Sequence, residues 1–284
     1  MTTKYRIITK RTISSYGGLA LPLAMIGYPI AIWLIPFYSE VTKFQLSLLA
    51  DILLLARLTD VITDPVIGQL SDNTNTKIGR RKPWIIIGLP LMMISVYFLF
   101  LPGDKVSIYY FLTWIILMYL GSTLIGISYN AWGAEISPEY SERSRIMGGR
   151  EVFTLMGLLL AALIPLGVEV SGQGVSLFEG LTRMLEAVFL FQDFNIGYDL
   201  RQILNFMGLG IIISLPIFGV IALILVEDPM PKIINRVSLR NGIKVALENR
   251  LVIRILLIMF LVICGESFRN TLSLWFMRDA IGVE

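Results

Sequence analysis

The chain contains no histidine and a single cysteine, Cys264, among its 284 residues. The missing imidazole removes haem ligation, a conventional zinc site and His-based acid–base catalysis from consideration. One thiol cannot form an intrachain disulfide, and a lone buried thiol is usually a small hydrophobe. Charge is also scarce. Only 16% of residues are Asp, Glu, Lys or Arg, whereas 55% are hydrophobic. A soluble domain carries about 25% charged residues and would lack polar side chains to cover its surface at this composition. Disorder, a coiled coil and a disulfide scaffold fail on the same counts. The net charge of +3 gives no argument for nucleic acid. No nucleophile–base pair and no phosphate-binding loop stand out, so nothing supports an enzyme.

What is present is a series of long apolar runs. A helix needs about 20 apolar residues to cross the hydrocarbon core. Seven runs qualify: Ser15–Phe37, Gln45–Gly68, Pro83–Leu101, Ile108–Trp132, Phe153–Val170, Phe206–Val226 and Val252–Phe276. The fold class predicted is all-α, a polytopic transmembrane bundle. The first run is too long and too rich in proline for a cleaved signal peptide. Seventeen Lys and Arg residues fall in connections on one side and five on the other. The positive-inside bias places the N-terminus in the cytoplasm.

Residues 175–192 are not read as a span. Glu179, Arg183 and Glu186 share one helical face and Leu177, Leu181 and Val188 the other. That pattern suits a helix in the membrane interface, or a plain loop helix covering one end of the bundle. The organisation predicted is a six-helix bundle over 1–226, a basic cytoplasmic linker over 227–251, and the first helix of an incomplete second bundle over 252–284. The rest of that bundle is expected from the same chain.

Ionisable groups inside spans are costly and point to function. The second run carries Arg57, Asp60 and Asp64, spaced so that all three lie on one helix face. Two adjacent carboxylates resist joint ionisation unless a cation lies between them, and a proton or Na⁺ would serve. The competing reading is a static Arg57–Asp60 salt bridge. The seventh run carries Glu266, Arg269 and Asn270, which form either a substrate-facing group or a structural ion pair. In the fourth run, Tyr129 and Asn130 are binding candidates, while the small and hydroxyl residues around them also suit helix packing. Pro22, Pro29 and Pro36 recur every seven residues in the first run, which predicts kinks on one face.

Two motifs are more specific. Asp64-Pro65-Val66-Ile67-Gly68-Gln69-Leu70-Ser71-Asp72 is followed by Gly79-Arg80-Arg81-Lys82-Pro83-Trp84. Later come Ser128-Tyr129-Asn130-Ala131-Trp132-Gly133-Ala134-Glu135 and Glu142-Arg143-Ser144-Arg145, then Arg150. Together they resemble the major facilitator superfamily. In particular they resemble its glycoside–pentoside–hexuronide:cation symporter branch, of which melibiose permease is the best-known member. The resemblance spans essentially the whole chain as the family's first six helices plus the seventh.

The resemblance implies a cation-coupled secondary transporter in the plasma membrane, multi-pass, working by alternating access on a sugar or other small organic solute. It implies no cofactor beyond Na⁺ or H⁺ as coupling ion. Asp60, Asp64 and Thr123 match its cation site. Arg57 and Arg150 also match family residues and, with Tyr129, Asn130, Glu266, Arg269 and Asn270, complete the substrate-cavity candidates. Gly68, Asp72, Gly79, Arg80, Arg81, Glu142 and Arg143 match the loops that switch conformation. There Gly68 is expected to permit close helix approach and Gly79 a tight turn. Two departures matter: the family's sugar-binding acids fall at Ala24 and Gly126, and Ser128 replaces a proline. Galactoside transport is therefore not expected, and an amphiphile such as a lysolipid becomes an alternative cargo. A truncated, transport-inactive membrane protein is the remaining alternative.

Overall fold

The computed structural model describes residues 8–103, 106–173, 200–228, 244–245 and 247–281. The described residues are helical, with a single isolated bridge between Thr76 and Gly79. In chain order the helices are α1 (Lys10–Thr42), α2 (Leu46–Leu58), α3 (Asp60–Asn73), α4 (Lys82–Phe100), α5 (Ile108–Glu135), α6 (Tyr140–Gln173), α7 (Leu200–Leu225) and α8 (Arg250–Ile281). Five of them, α1, α4, α5, α7 and the Tyr140–Pro165 part of α6, are long and apolar enough to cross a membrane. The expected interfacial helix at 175–192 lies outside the described residues, as does most of the linker.

α1 begins on Thr9, whose hydroxyl accepts from the Thr12 N–H at 3.2 Å. The regular helix breaks at Leu19 and again at Ile30–Leu34, where one turn widens to a π-helix immediately after Pro29. Proline removes a donor from the ladder, and a wide turn absorbs the mismatch. α1 ends at Lys43, which takes a left-handed conformation and donates its N–H to the Ser39 carbonyl at 2.9 Å.

The second apolar run is not one helix. It divides at Thr59 into α2 and α3. The Thr59 hydroxyl donates back to the Ala56 carbonyl at 2.6 Å, and the Thr59 N–H reaches the same carbonyl at 3.2 Å in a tightened turn. Pro65 then supplies no N–H for the Val61 carbonyl. The periodicity alone hides this division, because Arg57 now lies on one helix and Asp60 opens the next.

α1–α5, α6 as far as Val168, and α7 form one compact unit; α8 belongs to a second. Within the first unit α4 and α5 pack most extensively. Glycine makes that approach possible: a Cβ on Gly121 would lie 3.2 Å from Met92, and one on Gly88 2.7 Å from Ile125. α7 packs on α4 in the same way, with Gly208 against Phe100 and Gly219 against Leu89. Small residues let helices close up where lipid gives no hydrophobic drive between them. The core they enclose is aromatic, with Tyr16, Phe37, Tyr38, Phe100, Phe111 and Trp132 fully buried. The outward faces of α3, α6 and α7 carry exposed apolar residues such as Val61, Leu159 and Ile224. In the second unit α8 exposes every residue from Leu256 to Ile263. Exposed apolar surface on this scale is what a bilayer covers.

Candidate functional site

Two polar groups stand in the first unit. The first is at the turn joining α3 to α4. Gly79 has φ 113°, a conformation that favours glycine, and its N–H closes the turn on the Thr76 carbonyl at 3.1 Å. The turn delivers Arg81 into the bundle, where its side chain is only 4% exposed. Its guanidinium pairs with Asp72 at 2.5 Å and Glu135 at 2.6 Å, and donates to the Ser71 hydroxyl at 2.9 Å. Ser71 in turn lies 3.3 Å from the Ser128 hydroxyl. Arg80 reaches the same Glu135 oxygen at 2.5 Å. Burial opposes the Arg81 charge, but the bonds to Glu135 and Asp72 outweigh it and hold the guanidinium above its ordinary value. Glu135, at the end of α5, thus bridges two arginines. The sequence motif contains it, but only the fold shows that it faces Arg80 and Arg81.

Three of the expected switch-loop residues do not join this cluster. Glu142 is buried and takes the Ile8 N–H at 3.3 Å and Arg145 at 2.7 Å. Arg143 donates to the Pro138 carbonyl at 2.9 Å. Both are bonded at the start of α6. Gly68 permits no close approach either, because a Cβ there would meet only Ile127, at 3.9 Å.

The second group is deeper in the apolar region. Asp60 opens α3, and its polar neighbours are Asp64, Arg57 and Thr123. Thr123 is buried and Asp64 exposed. One Asp60 oxygen, Oδ1, and the Thr63 hydroxyl are buried with no hydrogen-bond partner among the described residues. The static Arg57–Asp60 salt bridge does not form. Instead Arg57 Nε donates to the Tyr119 hydroxyl at 3.1 Å, with the guanidinium 5.8 Å from that ring's centre. Tyr119 carries no sequence signal of its own; it is one aromatic among many in an apolar run.

The substrate-cavity candidates separate. Arg150 bonds Asn130 Oδ1 and pairs with Glu151 at 2.6 Å, so these two candidates do meet. Tyr129 packs against α1. It is buried, stacks on Tyr16 with ring centres 4.4 Å apart, and commits its hydroxyl to the Tyr16 carbonyl. Glu266 is exposed on α8, in the other unit. The side chains of Arg269 and Asn270 lie outside the described residues. Among the described residues no group of three or more metal-ligating Cys, Asp or Glu side chains occurs.

The first unit is thus a helical bundle with membrane-length helices and a charged turn leading into α4. The model of the family described as MFS/sugar transport protein matches residues 15–284, and the chain belongs to that family. Among its relatives, an uncharacterized symporter of Synechocystis, sll1374, is 26% identical over 53% of this chain and 29% of its own length. The inner membrane symporter YicJ of Escherichia coli is 27% identical over 56% of this chain and 36% of its own. Sodium-dependent lysophosphatidylcholine symporter 1 of Xenopus tropicalis is 27% identical over 59% of this chain and 31% of its own. The matched part of this chain covers about a third of the length of these relatives. They agree with the glycoside–pentoside–hexuronide:cation symporter resemblance and with a multi-pass membrane transport protein.

Proposed function

We propose that this chain forms the first bundle of a cation-coupled secondary transporter, carrying a sugar or other small organic solute by alternating access. The observation that supports it is the Asp60 environment: a carboxylate oxygen buried without a partner, beside Asp64 and Thr123, with the nearby arginine drawn off to Tyr119. Hard carboxylate and hydroxyl oxygens suit Na⁺, and a proton would neutralise the same pair. Binding the cation relieves the repulsion between Asp60 and Asp64 and favours the substrate-competent state. Arg150 and Asn130 contact substrate in this reading. The Arg81 cluster holds one state of the cycle, as its bonds must break when the bundles rock. The transporter resides in the plasma membrane with its N-terminus cytoplasmic, as the Lys and Arg asymmetry supports.

A second cargo class has support of its own. Ala24 lies in the α1–α6 packing, 3.1 Å from where a Cβ on Gly157 would sit, and a Cβ on Gly126 would meet nothing within 4 Å. Neither position offers a carboxylate to sugar hydroxyls, and both suit an amphiphile that needs few polar contacts.

The test is uptake by proteoliposomes holding the complete transporter, under imposed Na⁺ or pH gradients, across a panel of sugars and lysolipids. Asp60→Asn and Asp64→Asn are each expected to abolish the gradient dependence. Gradient-driven uptake that survives both substitutions would sink the cation-site assignment.

A further inference from the structure

The amino end of α4 leaves the N–H groups of Arg81 and Lys82 without intrahelical partners. No local side chain caps them. The acceptor comes from the far end of the unit: Asp228, just past the end of α7, takes the Arg81 N–H at 2.8 Å and the Lys82 N–H at 3.4 Å on its Oδ2. A carboxylate there also faces the positive end of the α4 dipole. The favour is returned at the last turn of α7, where carbonyls lack partners. Lys82 Nζ donates to the Leu223 carbonyl at 2.9 Å. Trp132 of α5 backs both ends, its indole N–H on the Glu227 carbonyl at 3.0 Å and its ring centre 5.5 Å from the Lys82 ammonium. Gly79 is required twice over, since a Cβ there would collide with the Asp228 carboxylate as well as strain the backbone.

Arg81 is therefore gripped at both ends, by Asp228 at its main chain and by Asp72, Glu135 and Ser71 at its guanidinium. A Ser or Asp at the N-cap would stabilise α4 as well, from a neighbouring position. A cap reaching across 147 residues does something a local one cannot: the start of α4 and the end of α7 part only by breaking charge-assisted bonds. The second Asp228 oxygen is buried with no hydrogen-bond partner among the described residues.

We propose that Asp228 is a positioning residue of the switch loop. Through the Arg81 main chain it sets the guanidinium on Asp72 and Glu135, and it ties that cluster to the point where the polypeptide leaves α7. The role in switching rests on the transporter reading above, whereas the positioning itself is measured independently of transport.

The experiment is hydrogen–deuterium exchange on the full chain in detergent, resolved over residues 78–84, with melting temperatures alongside. Asp228→Ala is expected to raise exchange at Arg81 and Lys82 at least tenfold, with Asp228→Asn, which keeps an acceptor oxygen and the shape, falling between Ala and wild type. Combined with Arg81→Ala, which leaves the main-chain cap in place, the Asp228→Ala change is expected to lower the melting temperature by less than the sum of the two single effects. Gly157→Ala, whose added Cβ would fall on the Leu21 carbonyl in the α1–α6 packing, is expected to leave the 78–84 exchange unmoved. Unchanged exchange at Arg81 and Lys82 in both Asp228 variants overturns the proposal. So does an equal rise across the whole unit, or additive melting effects. Loss of gradient-driven uptake on Asp60→Asn bears on the transporter reading alone.

Discussion

Tyr16 and Tyr129, 113 residues apart, each donate a hydroxyl hydrogen bond to the other's backbone carbonyl, at 2.8 and 2.7 Å. The two rings stack, and Trp132 packs edge-on against Tyr16. This reciprocal pair fixes α1 to α5 in register, since either helix sliding by one turn would break both bonds. Tyr16→Phe and Tyr129→Phe are each expected to cost about 0.5–1.5 kcal/mol, because each removes one bond from an otherwise unchanged stack. The double variant should show the coupling in a double-mutant cycle of thermal unfolding in detergent.

Gly133 lies beneath that pair. A Cβ added there would fall on the Tyr16 hydroxyl and 2.6 Å from the Met147 methyl. Gly133→Ala is expected to destabilise the protein by about 1–3 kcal/mol through overpacking. Gly126→Ala, with open space around it, should stay within about 0.5 kcal/mol of wild type. Melting temperatures of the two alanine variants, measured side by side, check the contrast.

Glu135 and Asp72 both pair with Arg81 but differ in burial, with side-chain exposures of 26% and 61%. Glu135→Gln leaves two arginines short of their shared carboxylate, one of them buried, and is expected to cost about 3 kcal/mol. Asp72→Asn is expected to cost under about 1 kcal/mol, as water screens the exposed partner. Denaturation of both variants at low and high salt separates them, since only the Asp72 effect should shrink with salt.

The Tyr119 hydroxyl accepts from Arg57 Nε, with Asp60 close by. On the proposed mechanism, Tyr119→Phe frees the guanidinium to compete with the cation for the Asp60 carboxylate. The Na⁺ concentration for half-maximal uptake is then expected to rise about threefold or more, as the loss of one hydrogen bond implies. Arg57→Gln in the same background should restore the Na⁺ dependence.

How much of this was legible beforehand differs by element. Five of the seven spans were readable because an apolar run of bilayer length has few alternatives, and the charged turn because Gly79, Arg80 and Arg81 occur in a specific pattern. The division of the second span was not readable. Thr59 is an ordinary helix residue until its hydroxyl takes the Ala56 carbonyl. The partners of Glu142 and Arg143 were not readable because a motif fixes neighbours along the chain and leaves open which way each side chain faces. The partner of Tyr129 was hidden for a related reason: nothing in the sequence of a small-residue helix points across 113 residues to Tyr16.

The sequence by itself determined that this is a helical membrane protein, since hydropathy is set residue by residue and needs no fold to act, and its motifs carried the resemblance to the transport family. The tertiary structure decided the partners. Arg57 goes to Tyr119 and Arg81 to Glu135, while Asp228 caps a helix that begins 147 residues earlier. Those pairings depend on which helix faces present themselves to one another, and between spans that are largely apolar the packing of small residues helps choose the faces.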